Sequence, residues 1–202
     1  MFKDSLFDIT LRKRAKDIMN RIETSLPGVY IIEPQVFRDD RGLFFESYQE
    51  EKFAALGIHD RFVQDNHVYS LKNVLRGLHY RTKHTQSKLC RVIRGAVLDV
   101  VVDIRRGSPD FGRHASMVLS AENMRQVYVP AGFAHGYLVL SETAEFQYKC
   151  SDFYYPEHER GVLWNDAEIG IDWGIQAPIL SAKDLNNPSL SDIRLNELPD
   201  YG

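Results

Sequence analysis

Cysteine is nearly missing from this chain: 202 residues hold two, Cys90 and Cys150, with no CxxC pair. That scarcity argues against a disulfide framework or a zinc clip, and each cysteine sits in a strand-like run, so both read as reduced core residues. An excess of one charge is also missing. The net charge is −3, with Lys and Arg scattered among acids, which leaves no basic stripe for nucleic acid and no polybasic patch for a membrane. An anionic partner must then be bound locally. Met1 to Asn20 mixes charges throughout and lacks a long apolar run, so neither a signal peptide nor a membrane span is expected, and a soluble cytoplasmic protein is. Internal repeats and low-complexity tracts are absent too.

What is present suits one sizeable core. With 44% apolar and 11% aromatic residues, the chain reads as a single domain with extensions. In the first stretch, 1–27, Leu11, Ala15, Ile18, Met19 and Ile22 recur at helical spacing until Pro27-Gly28 stops the pattern, predicting a docked amphipathic helix. From Val29 to about Trp173 the signal changes to short strand-like runs: Val29–Ile32, Leu43–Phe45, Arg61–Val63, Lys88–Ile93, Ala96–Ile104, Met117–Leu119, Gln126–Val129, Gly136–Leu140 and Ala144–Cys150. Turn chemistry separates them at Asp39-Asp40-Arg41-Gly42, Arg94-Gly95 and Pro130-Ala131-Gly132. Because no helices alternate with the strands, a parallel α/β fold is disfavoured and an all-β sandwich or barrel over 28–184 is expected. The polar tail, 185–202, is expected to wrap the surface.

Period-two reading assigns side chains to faces. In Ala144–Cys150, Phe146, Tyr148 and Cys150 share the inward face. In the longest run, Val97, Asp99, Val101 and Asp103 share a face, and the two carboxylates read as facing solvent and nearby arginines. In Leu75-Arg76-Gly77-Leu78-His79-Tyr80, the His79 ring is directed to the same interior as Tyr148. Strict alternation sends Arg76 the other way, so a bulge, with Gly77 the candidate, is needed for Arg76 and His79 to serve one site. Lys88 opens the next strand. A cation and an imidazole beside apolar strand faces need partners or a chemical role, which makes this the first place to look for a site.

The ordered segments Gln64-Asp65-Asn66-His67, Val74 to Tyr80, Val102-Asp103-Ile104-Arg105, Ser108 to Gly112, Leu119 to Asn123, Gly132-Phe133-Ala134-His135-Gly136, Trp164-Asn165-Asp166 and Ser181-Ala182-Lys183-Asp184 resemble the dTDP-4-dehydrorhamnose 3,5-epimerase family. The resemblance implies a cupin jelly roll and a homodimer with exchanged N-terminal strands. It implies no metal, no cofactor, and epimerisation of a dTDP-linked 4-keto-6-deoxyhexose on a rhamnose-type route to surface polysaccharide. By similarity, His79 is the base, Asp184 its carboxylate partner, Tyr148 the acid, and Lys88 with Arg76 the cations at the C4 oxygen. Phe37 (from the partner subunit), Arg41, Glu46, Gln64 and Asn66 correspond to positions around the base and diphosphate, and Phe153 to a stacking position. His135 either supports the site from beneath or touches the sugar. Two departures are Phe153, where the family commonly has Tyr, and Ser87 before Lys88, where Gly or Ala is usual.

Each of these residues also has a plainer reading: His79 as a satisfied strand residue, Tyr148 as a core aromatic, Lys88 as a snorkelling side chain, Asp184 as a helix cap, and Glu46 as the surface partner of Arg41. Three other functions compete. A metal-dependent cupin would need a His-x-His pair and a Glu, whereas the chain offers His79 and His84 after Gly77. A sugar-nucleotide binding module could lose acid and base, and this chain has both His79 and Tyr148. A relative that epimerises only C3 or only C5 uses the same residues.

Overall fold

In the computed structural model, which describes residues 19–201, the chain forms two antiparallel sheets packed face to face. The strands in chain order are β1 (Asn20–Glu23), β2 (Tyr30–Glu33), β3 (Phe37–Asp39), β4 (Gly42–Phe44), β5 (Gln64–Leu71), β6 (Leu75–Arg81), β7 (Lys88–Arg94), β8 (Ala96–Asp103), β9 (His114–Ser120), β10 (Gln126–Val129), β11 (Phe133–Val139), β12 (Thr143–Cys150) and β13 (Glu159–Gly161). One sheet has the order β1-β2-β10-β7-β12-β5 and the other β13-β6-β11-β8-β9, while β3 and β4 form a separate hairpin. Neighbouring strands are often far apart in sequence, as in a jelly roll, so closing the two sheets brings together residues from most of the chain.

Alternation along the strands fills three apolar layers. Cys90, Val97, Val101, Val127 and Phe146 pack between the sheets. The opposite face of the five-stranded sheet, with Leu78, Val100, Val102 and Leu138, is covered by Trp164, Trp173, Leu190, Ile193 and Leu198. That sheet is therefore apolar on both sides, and every residue of β11 is buried. Outside the six-stranded sheet, Phe53 of helix α1 (Glu50–Ala55) packs with Met19, Ile32 and Leu89.

Several expectations need correcting. The helix anticipated over 1–27 does not extend to its end: Asn20–Glu23 is a strand paired with β2, because Ile22 finds a ladder partner in Ile31, and the pattern from Leu11 to Ile18 lies outside the described residues. Arg61–Val63 stays irregular, and β5 begins at Gln64. Asp99 and Asp103 are 0% exposed rather than facing water. The alternation that put them on one face holds, but that face is the sandwich interior, where His135 partners Asp99 and Arg105 and Ser108 partner Asp103. The tail supplies Leu190, Ile193 and Leu198 to a core instead of only wrapping the surface.

Candidate active site

A cavity of about 370 Å³ opens between the sheets, a size suited to a small-molecule ligand. Its two walls differ chemically. The five-stranded sheet supplies Arg76 and His79 from β6 and His135 from β11; the six-stranded sheet supplies Gln64 and Asn66 from β5, Lys88 from β7 and Tyr148 from β12.

A bulge lets Arg76 and His79 share this space. Arg76 stands opposite Tyr137 and His79 opposite His135, so Gly77 and Leu78 together face the single residue Gly136. Gly77 has φ of +123°, and a Cβ there would lie 2.6 Å from Gly136 Cα, so only glycine fits. Arg76 is steadied by donating from Nε to Ser70 Oγ at 3.1 Å.

His79 and Asp184 form a dyad, with Nε2 and Oδ1 2.6 Å apart and the Asp184 side chain only 5% exposed. Asp184 lies in the short helix α2 (Ala182–Leu185), where its amide donates to Ser181 Oγ at 3.1 Å. Burial works against its charge, but the His79 hydrogen bond and charge, with Ser181 and the Gly77 amide, outweigh it and hold the carboxyl below its ordinary range. An ionised carboxylate only accepts, so Nε2 is the donor in this bond and Nδ1 is the ring nitrogen left free of Asp184.

On the facing wall, burial, reinforced by Cys150, Cys90 and neighbouring acidic groups, pushes the Tyr148 phenol well above its usual value, so it stays protonated. Lys88 Nζ sits 6.0 Å from the Tyr148 ring centroid, and no carboxylate among the described residues pairs with it. His135 lies beneath, 6% exposed, its Nε2 2.9 and 3.0 Å from the two oxygens of Asp99. Gln64 Nε2 donates to Asn66 Oδ1 at 3.1 Å.

Five expected residues do not line this cavity: Asp184 reaches it only through His79, and the other four lie elsewhere. Phe37 and Arg41 sit on the β3–β4 hairpin and line a separate shallow hollow, with Arg41 paired to Asp39. Glu46 pairs with Lys52, and Phe153 is 55% exposed. Conversely, Tyr154 and Glu159 line the cavity although sequence reading did not select them. The Tyr154 hydroxyl donates to Glu159 Oε2 at 3.0 Å, and Lys183 Nζ donates to the same oxygen at 2.6 Å. Burial opposes the Glu159 charge, but Lys183, the nearby His79 and Tyr154 prevail and lower its carboxyl. Nothing local in Pro156-Glu157-His158-Glu159 signals this; the stretch reads as a polar turn. Among the described residues, no three His, Cys, Asp or Glu side chains converge on a metal-sized point.

A jelly-roll sandwich whose cavity sets a carboxylate-backed imidazole on one wall against a phenol on the other defines the class, a cupin-like isomerase. The chain belongs to the dTDP-4-dehydrorhamnose 3,5-epimerase family, whose model matches residues 23–192. The dTDP-4-dehydrorhamnose 3,5-epimerase of Pseudomonas aeruginosa is 54% identical over 176 residues, 86% of this chain and 97% of that protein. Among solved structures, a dTDP-6-deoxy-D-glucose-3,5-epimerase from Legionella pneumophila in complex with dTDP-4-keto-L-rhamnose is 48% identical with a TM-score of 0.89, covering 91% of this chain and 99% of that one. A 3'-monoepimerase from Streptomyces bikiniensis in complex with dTDP-quinovose is 39% identical with a TM-score of 0.83, covering 88% and 91%. No described helix is long and apolar enough to cross a membrane.

Proposed function

We propose that this enzyme epimerises C3 and C5 of dTDP-4-dehydro-6-deoxy-D-glucose, giving dTDP-4-dehydro-L-rhamnose, in the cytoplasm, for rhamnose-type glycoconjugates. The observation that carries the reading is the placement of His79, backed by Asp184, and Tyr148 on opposite walls of one cavity. A C–H beside a ketone has a pKa of ~20 against about 6.5 for imidazole, a gap of roughly 18 kcal/mol unless the enolate is held. Lys88, which no carboxylate among the described residues pairs, and Arg76 are the cations for that oxyanion. His79 Nδ1 takes the proton from one face, Asp184 stabilises the imidazolium, and Tyr148 delivers a proton from the other, which converts deprotonation into inversion. Gln64 and Asn66 belong to the nucleotide end, and His135, tethered by Asp99, supports the floor. Neither a metal nor a cofactor enters these steps.

The hairpin residues Phe37 and Arg41, exposed and outside this chain's own cavity, are assigned to the site of a second copy in a homodimer, with Arg41 on phosphate and Phe37 on the base. Proton NMR of dTDP-4-keto-6-deoxyglucose in heavy water tests the reading. Exchange at C3 and C5, abolished by His79→Ala with the fold intact, is the expected result. Exchange at C3 alone would favour the second reading, a mono-epimerase, which the resemblance to the Streptomyces bikiniensis enzyme keeps in view.

A further inference from the structure

Ser87, the residue before Lys88, is 3% exposed and uses all of its polar groups. Its Oγ donates to Asp60 Oδ1 at 2.8 Å and accepts from the Ala131 amide at 3.1 Å. Its own amide donates to Ser151 Oγ at 2.8 Å, and its carbonyl accepts from the Ser151 amide at 3.0 Å. The second oxygen of Asp60 accepts from the Tyr128 hydroxyl. The side chain thus joins the segment before β5 to the turn between β10 and β11, and the backbone of the same residue ties both to the residue just past β12.

The position of this hub matters because Lys88 is its immediate neighbour in the chain. Lys88 is the first residue of β7, held by Val129 of β10 on one side and Cys150 of β12 on the other. The end of a strand is where a ladder opens most easily. Lys88 also has no ion pair among the described residues to fix its ammonium, so the place of its Nζ depends on where its backbone is held. Ser87 extends the anchoring one residue beyond the ladder.

We propose that Ser87 is a positioning residue for Lys88. Its hydroxyl, bridging Asp60 and Ala131, holds the backbone from which the Lys88 ammonium reaches the ketone oxygen. This rests on the assignment of Lys88 to that oxygen. Stabilisation of developing charge is steep in distance, so releasing the hub lowers kcat and leaves substrate affinity largely alone.

A double-mutant cycle tests it: wild type, Ser87→Ala, Lys88→Met and the double variant, each read by solvent exchange and turnover, with melting temperature measured alongside. Residual exchange stays readable over hours because His79 remains. Ser87→Ala is expected to lower kcat about tenfold with KM within about twofold, and to cause no further loss in the Lys88→Met background. Should Ser87→Ala fail to fold, Asp60→Ala, which removes the acceptor of the same hydroxyl from a partly exposed site, takes its place in the cycle. Full activity in Ser87→Ala, or equal losses with and without Lys88, would overturn the proposal. Full activity in Lys88→Met would instead remove the Lys88 assignment, and the proposal with it.

Discussion

Replacing Asp184 by Asn isolates one charge. Asparagine keeps the shape of the side chain and the amide bond to Ser181, so melting temperature and oligomeric state should change little. What changes is the partner offered to His79 as it gains a proton. The atoms are 2.6 Å apart and the carboxylate is 5% exposed, so the interaction is poorly screened. Placing the charge centres ~4 Å apart at an effective dielectric of ~20 gives about 4 kcal/mol of attraction. Asparagine retains a neutral hydrogen bond, which leaves roughly 2–3 kcal/mol lost from the imidazolium-forming step, the size of a charge-assisted bond. That corresponds to about 30- to 150-fold in kcat. Turnover at saturating substrate, with exchange at C3 and C5 followed by NMR, measures it. A folded Asp184→Asn enzyme within about threefold of wild type would refute the dyad as the source of proton abstraction.

Tyr148→Phe should slow inversion strongly while exchange at one carbon persists, and full epimerase activity in this variant would end the assignment of Tyr148 as acid. Because burial raises the Tyr148 phenol above its unfolded value of 10.0, its contribution to stability is whole below pH 10 and is lost as pH rises beyond it, so the alkaline limb of activity should lie above pH 10 in a pH–rate profile. Asp184 and Glu159 behave oppositely: their folded values lie below 3.8 and 4.5, so the unfolded chain takes up protons first. Thermal melts should be insensitive to these groups from pH 7 to about 5 and fall progressively below, with a shallower fall in Glu159→Gln; a rise in melting temperature on acidification past pH 4 would contradict this. Gly77→Ala should lose about 2–4 kcal/mol of stability in denaturant melts, since Ala must take φ of +123° against Gly136, and a wild-type midpoint would refute the tight approach.

The sheets were legible where a strand has alternating or uniformly apolar residues. Ala96–Asp103 and Gln126–Val129 announce themselves because apolar runs bounded by Gly, Pro and Asn have no other stable home. The site's walls were partly legible for the same reason: once Ala144–Cys150 is a strand, Tyr148 must share a face with Phe146 and Cys150. What alternation cannot supply is the destination of a face. Asp99 looked solvent-facing because nothing local marks His135, 36 residues on, as its partner, whereas the arginine expected near Asp103 is there as Arg105 but inside the fold rather than at a wet edge. The dyad was legible only through the resemblance to the family, since Asp184 reaches His79 across 105 residues and stands in a polar stretch that suits a helix cap equally well. Glu159 was missed because its meaning depends on Lys183 and Tyr154 closing around it. Asn20–Glu23 was misread because four residues at the border of a helical pattern carry too little periodicity to compete with the ladder that β2 offers.

The C-terminal cover of the five-stranded sheet has a consequence for synthesis. Leu190, Ile193 and Leu198 close the outer face of a sheet whose strands were all made earlier, and Asp184 arrives in the same stretch. A chain emerging from the ribosome at about 5–20 residues per second therefore displays β6, β8 and β11 with one apolar side open until the last part of that stretch has cleared the exit tunnel. The nascent protein carries His79 for much of its synthesis without the carboxylate that completes the dyad. The last member of the dyad is thus made only a few residues ahead of the side chains that finish covering the sheet, so the pair and the outer core are completed within the same short span of synthesis.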